Sequence, residues 1–141
     1  MKKIMMIGLF LCFNSTVMAA EVCADGVGIV LTAKNGHKYC YSDVPMNWWS
    51  ANAWCDTAGG QLVDVNTDCA CSGDTCEKDV KCPNFKNMGK TVLSGRDPWV
   101  WTRTMDTTWS KGGRAYIIHL YENLMRGESF NNKVKALCRM N

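Results

Sequence analysis

Few side chains in this sequence are placed to do chemistry, and most of them lie in one stretch. Arg103, Asp106, Trp109, Lys111 and Arg114 fall within residues 102–114, a polar, glycine-bearing segment between two apolar runs. Loops held by a rigid scaffold commonly carry function, and Arg and Trp are enriched at binding hot spots. The indole of Trp109 stands between Thr107-Thr108 and Ser110-Lys111-Gly112-Gly113. There it could anchor a sugar ring or a partner's side chain, or fold back as the apolar plug of a compact loop. The first arrangement makes 102–114 a ligand-binding surface, with Trp109 as anchor and its charged neighbours as polar contacts.

Catalysis finds no comparable constellation. His37 follows a turn signal and is expected to be exposed, and His119 lies in an apolar run where it is packed or edge-facing. There is no serine elbow, phosphate loop or His-Glu-x-x-His motif, so neither an enzyme nor a cofactor is expected. Asp64-Val-Asn66-Thr-Asp68 looks like the start of a calcium loop, but Cys69 stands where glycine is needed and Thr75 where glutamate is needed. Asp64 and Asn66 read better as caps of a turn. Cys69, Cys71, Cys76 and Cys82 are close enough in sequence for a four-thiolate zinc site. Their rival fate is disulfide bonding, which an oxidising compartment favours.

Export sets that compartment. Lys2 and Lys3 precede an apolar run from Ile4 to Phe13, and Val17-Met18-Ala19-Ala20 offers small residues for signal-peptidase cleavage. Residues 1–20 are therefore expected to be a signal peptide, its apolar run being short for a bilayer span. No later stretch could cross a membrane, and a secreted, periplasmic or cell-surface location is expected. The chain has 16 Lys and Arg, of which Lys2 and Lys3 leave with the leader, against 13 acids, so the net charge falls from +3 to +1. That balance favours neither nucleic acid nor an anionic membrane. Of the nine cysteines only Cys12 lies in the leader. The remainder, Cys23, Cys40, Cys55, Cys69, Cys71, Cys76, Cys82 and Cys138, form an even set that reads as a disulfide framework. Arithmetic alone leaves its pairing open.

Short elements must position these groups. Ile29-Val30-Leu31-Thr32 and Tyr39-Cys40-Tyr41 read as strands of a hairpin, with Asn35-Gly36 as a two-residue turn signal. Asn47 is a helix N-cap, and Trp48, Ala51, Cys55 and Ala58 share one helical face. Gly59-Gly60 ends that helix, and Leu62, Val63 and Val65 continue as a buried strand. Residues 66–90 read as a cysteine-rich insertion without a core of its own, pinned by bridges. Trp99-Val100-Trp101 is a short strand, with Trp99 and Trp101 on one face. A loop over 102–114, a strand over 115–121, a turn over 127–133 and a last strand over 134–138 complete the chain. The fold class is α+β, with mixed short strands, one or two helices, long loops and disulfide staples, in one domain over residues 21–141.

The order of these elements resembles the C-type lectin-like domain. The resemblance lies in Cys40-Tyr41, Asn47-Trp-Trp-Ser-Ala-Asn-Ala-Trp-Cys55, Gly59-Gly-Gln-Leu-Val63, Trp99-Val-Trp-Thr102 and Ala136-Leu-Cys138. It implies that Cys55 in the first helix pairs with Cys138 in the final strand, and Cys23 with Cys40. The family's second core bridge is missing, because no cysteine lies between Cys82 and Cys138. The four clustered cysteines are then left to pair among themselves. The family's calcium motifs, Glu-Pro-Asn or Gln-Pro-Asp and Trp-Asn-Asp, are absent too. Phe130-Asn131-Asn132-Lys133 lies nearest the last of them but has lysine where a carboxylate is wanted. The resemblance thus implies a calcium-independent module that recognises a protein or glycan on a cell surface through its long loop. The alternative is a structural subunit of a cell-envelope appendage.

Overall fold

The computed structural model describes Cys23 and residues 26–141; the expected signal peptide lies outside them. The chain folds as a mixed α+β domain. Strands β1 (Ile29–Thr32) and β2 (Lys38–Tyr41) precede helix α1 (Trp48–Thr57) and strand β3 (Gly60–Leu62). Two further short helices, α2 (Val65–Asp68) and α3 (Thr75–Asp79), and a 3-10 turn (Pro83–Phe85) come next. Strands β4 (Trp99–Met105), β5 (Arg114–His119), β6 (Leu124–Ser129) and β7 (Lys135–Met140) complete it.

Local signals fix α1. The Asn47 side chain accepts from the Ser50 N–H at 2.9 Å, satisfying one of the unpaired donors of the first turn. Gly59 follows the helix with φ of +80°, a conformation that costs glycine little. Ala51 and Cys55 are the buried face.

The sheet has seven strands in the order β1-β2-β7-β4-β5-β6, with β3 paired to β7 beside β4. β7 is the hub: it runs antiparallel to β2 and β3 and parallel to β4, with Cys138 opposite both Cys40 and Leu62. Both faces of the sheet are covered, as the two-residue alternation of strands shows. Tyr39, Tyr41, Tyr116, Ile118 and Leu137 enter one apolar cluster, while Cys40, Ala115, Ile117, Ala136 and Cys138 enter the other. A strand buried on both sides needs no polar face, and β5 accordingly reads Ala115-Tyr-Ile-Ile118.

Helix α1 covers the second face. The first is covered by the cysteine-rich segment, which has no separate core but sends Phe85 and Met88, with Leu93 just beyond, into the common one. Phe85 and Leu93 are fully buried, each worth roughly 1.5–3 kcal/mol of transfer free energy. The bridges are Cys23–Cys40, Cys55–Cys138, Cys69–Cys82 and Cys71–Cys76. All four clustered sulfurs are thereby used in bridges, not as thiolate ligands. Cys55–Cys138 closes a separation of 83 residues, worth roughly 4–5 kcal/mol in the chain-entropy account.

Several expectations change. The hairpin loop is longer than two residues: Thr32 pairs with Lys38, the Ala33 N–H donates to the His37 carbonyl, and Gly36 takes the positive φ within it. Val65 begins α2 instead of continuing a strand, because the Asp64 carboxylate accepts from the Asn66 and Thr67 N–H groups and starts a helical turn. Asp64 is the cap; Asn66 is inside the helix. The strand at Trp99 runs on to Met105, so the loop spans 106–113, not 102–114. Thr102 is completely buried, its hydroxyl donating to the Tyr116 carbonyl at 2.9 Å, a bond that satisfies its polarity where the β4–β5 register shifts. Finally, residues 124–129 form β6 where a turn was expected from Gly127. The described residues form three short helices where one or two were expected.

Candidate functional site

The 106–113 loop is built from its base outward. The Asp106 N–H donates to the Arg114 carbonyl at 3.0 Å, closing the loop as the strands part. The Asp106 carboxylate turns inward and accepts from the Thr108 N–H at 3.0 Å. A bond from the Gly112 N–H to the Trp109 carbonyl, 3.1 Å, makes the tip, and Gly112 and Gly113 hold φ of +66° and +75°. These are left-handed values that side chains with a Cβ rarely take. The Gly113 carbonyl accepts from the Phe130 N–H at 3.0 Å, tying the loop to the body.

Trp109 remains 45% exposed on this frame and belongs to neither apolar cluster. Its ring lies under the Arg114 guanidinium, 5.0 Å from carbon to centroid, a cation–π contact worth about 0.5–1 kcal/mol at an exposed site. Arg114 also donates from Nη2 to the Gly127 carbonyl at 2.5 Å, which holds the guanidinium in place. Its Nε is buried with no hydrogen-bond partner among the described residues. Trp109, Gly112, Gly113, Arg114, Glu128 and Ser129 line a cavity of about 390 Å³. Glu128 is oriented by the Ser129 N–H at 3.1 Å and the Asn132 amide at 2.6 Å. The cavity can therefore offer an indole face, a guanidinium, a carboxylate and a hydroxyl to one ligand.

The five candidate residues do not form one group. Trp109 and Arg114 meet at the cavity, and Lys111 is exposed in the same loop. Asp106 is buried, 7% exposed, and works inside the protein as the loop's internal tie rather than as a contact for a ligand. Burial of the Tyr116 phenol and its closeness to Asp106 push that phenol's pKa up. Arg103 is on β4 and faces elsewhere, donating to Gln61 at 3.1 Å and standing 3.7 Å from Asp64. Glu128 and Ser129 lie where the sequence reads as a turn; Leu124-Met-Arg-Gly-Glu-Ser129 has no two-residue alternation to mark a strand.

The other aromatics divide between core and surface. Trp101 is fully buried, its indole N–H donating to the Met46 carbonyl at 2.8 Å. Trp99 packs on the same cluster and carries the Arg126 guanidinium at 4.4 Å. Trp48 stacks on Phe130 at 4.4 Å, while Trp49, edge-on to Phe130, is exposed. His119 is packed between Trp99 and Tyr121, and His37 is exposed.

No protein-family model matches this chain, and no curated protein matches it in sequence. The structure by itself defines its class: an α+β domain on a seven-stranded sheet, stapled by four disulfides.

Proposed function

We propose that this protein is an exported, non-catalytic binding module of the C-type lectin-like kind that recognises a protein or glycan on a cell surface, without calcium. The 106–113 loop carries the contact. The observation behind this reading is Trp109, a large apolar ring held in solvent by Arg114 on a loop tied at both ends. An exposed, immobilised indole loses little conformational freedom on binding. Lys111 and Arg114 add polar contacts, with Glu128 and Ser129 across the cavity.

The lectin-like assignment is supported by the helix-to-last-strand bridge, Cys55–Cys138, and by the hairpin bridge, Cys23–Cys40. Four disulfides fit an oxidising compartment, and no helix among the described residues is long and apolar enough to cross a membrane.

Assembly by strand addition is less favoured at β6. By the alternation of antiparallel pairing, Met125, Gly127 and Ser129 direct their backbone groups away from β5. The Met125 N–H is taken by the Val80 carbonyl, the Gly127 carbonyl by Arg114 and the Ser129 N–H by Glu128. An edge occupied in this way is poorly disposed to accept another strand.

The test is a pull-down from surface extracts together with a glycan array, run with wild-type protein and Trp109→Ala, with and without chelator. Ligands held by the wild type, chelator or not, and lost by the variant are expected. Equal retention by both proteins would remove the loop from consideration.

A further inference from the structure

A second cleft, of about 300 Å³, is lined by Trp48, Asn52, Asp56, Gln61, Leu62 and Arg103 and shares no residue with the loop cavity. Trp48, Asn52 and Asp56 lie four residues apart on α1, so they form one stripe along the helix. Gln61 and Leu62 come from β3, and Arg103 from β4.

The wall of this cleft is rigid. The Trp48 indole N–H donates to the Thr102 carbonyl at 2.9 Å, and one face of its ring stacks on Phe130 at 16° between planes. The ring so held lines the cleft. Asn52 donates its amide to the Trp48 carbonyl at 2.9 Å, which leaves its Oδ1 without a partner among the described residues. Arg103 is oriented through Nη1 by Gln61 and stands beside Asp64, while its Nη2 makes no hydrogen bond among the described residues. The Asp56 carboxylate has neither hydrogen bond nor ion pair among them. A carboxylate and a guanidinium thus line one cleft without pairing with each other, next to a fixed indole.

That arrangement selects by charge. A cation fits against Asp56 and the Trp48 ring, where ring and carboxylate both attract it. An anion such as a carboxylate fits the free Nη2 of Arg103. We propose that this cleft binds a small zwitterion, an α-amino acid or a betaine, with its ammonium on Asp56 and Trp48 and its carboxylate on Arg103. The volume lies at the low end of the roughly 300–1,000 Å³ typical of small-molecule sites, in keeping with so small a ligand. The proposal does not depend on the loop's role, since the two sites have no residue in common.

The experiment is a titration of the ¹⁵N-labelled, disulfide-bonded protein with glycine, L-alanine, glycine betaine and methyl glucoside. Two-dimensional ¹⁵N–¹H spectra follow the Trp48 indole and the Asn52 and Gln61 side-chain amides. Saturable shifts at these three groups are expected with the zwitterions and not with the glucoside. Asp56→Asn and Arg103→Gln should each weaken the response by about tenfold or more, or about 1.4 kcal/mol. Asp56 is exposed and unpaired, so its variant should melt with the wild type, which separates lost binding from lost fold. Shifts with methyl glucoside alone would make this a neutral-polyol site and overturn the proposal. So would shifts confined to the Trp109 indole, or none with any zwitterion at tens of millimolar.

Discussion

The Asp106 carboxylate occupies the space that a side chain at Gly127 would need: a Cβ there would lie 1.9 Å from Asp106 Oδ2. It would also stand 3.3 Å from Arg114 Nε. Gly127 on β6 therefore admits the internal tie of the recognition loop, and the loop's order depends on a missing side chain one strand away.

Gly127→Ala is accordingly expected to expel the Asp106 carboxylate. Overpacking of this kind costs roughly 1–3 kcal/mol. Denaturant unfolding should show that loss, and amide exchange should show the 106–113 loop opening faster. An alanine variant as stable and as protected as the wild type would mean that Asp106 does not hold the loop.

Trp109→Ala separates an anchor from a plug. An exposed indole outside both clusters should change stability by about 0.5–1 kcal/mol, the worth of its contact with Arg114, while binding at the loop weakens by at least about tenfold, or 1.4 kcal/mol. A core plug would instead cost roughly 3–5 kcal/mol in folding. Melting and affinity measured on one variant decide between them.

Phe85→Ala tests whether the cysteine-rich segment is structural. Phe85 is completely buried and meets Tyr39 edge-on, with ring centres 5.0 Å apart. Its truncation should cost roughly 3–5 kcal/mol, a large share of a small domain's stability. A cost below about 1 kcal/mol would show the segment to be an appendage with little bearing on the sheet.

Alkaline pH should unfold the protein through its buried phenols. Burial, then the nearby Asp97 charge, raises the Tyr41 pKa from 10.0 to about 12, against a lowering by Arg96. Tyr39 is raised in the same direction by burial and by its hydrogen bond to Asp68. A folded-state pKa above the unfolded one means that the unfolded chain loses its proton first. The stabilisation is then complete below pH 10 and falls away as pH rises through about 12. Tyr41→Phe, which has no proton to lose, should show a shallower fall of stability over that window by denaturant titration. A slope equal to the wild type's would rule out Tyr41 as a contributor.

Where a few neighbouring residues settle the outcome, the sequence was sufficient. Asn47 caps α1 because its side chain reaches an N–H three residues on, and Gly59 ends it because only local φ is at stake. The even cysteine set pointed to disulfide staples for the same kind of reason, since oxidation state follows compartment and count. The α+β class was legible from short periodic runs. What the tertiary structure decided depends on partners far along the chain. Thr102 can be buried because its hydroxyl reaches the Tyr116 carbonyl on β5, and 124–129 is a strand because β5 offers it an edge. Phe85 is core because the first face of the sheet needs a cover. The candidate site divided for the same reason. Asp106 and Arg103 share a polar stretch with Trp109, but the pleat and the packing of β4 send Asp106 inward and Arg103 to α1 and β3. Sequence proximity sets which side chains are available, whereas burial and strand pairing set which of them can meet one ligand.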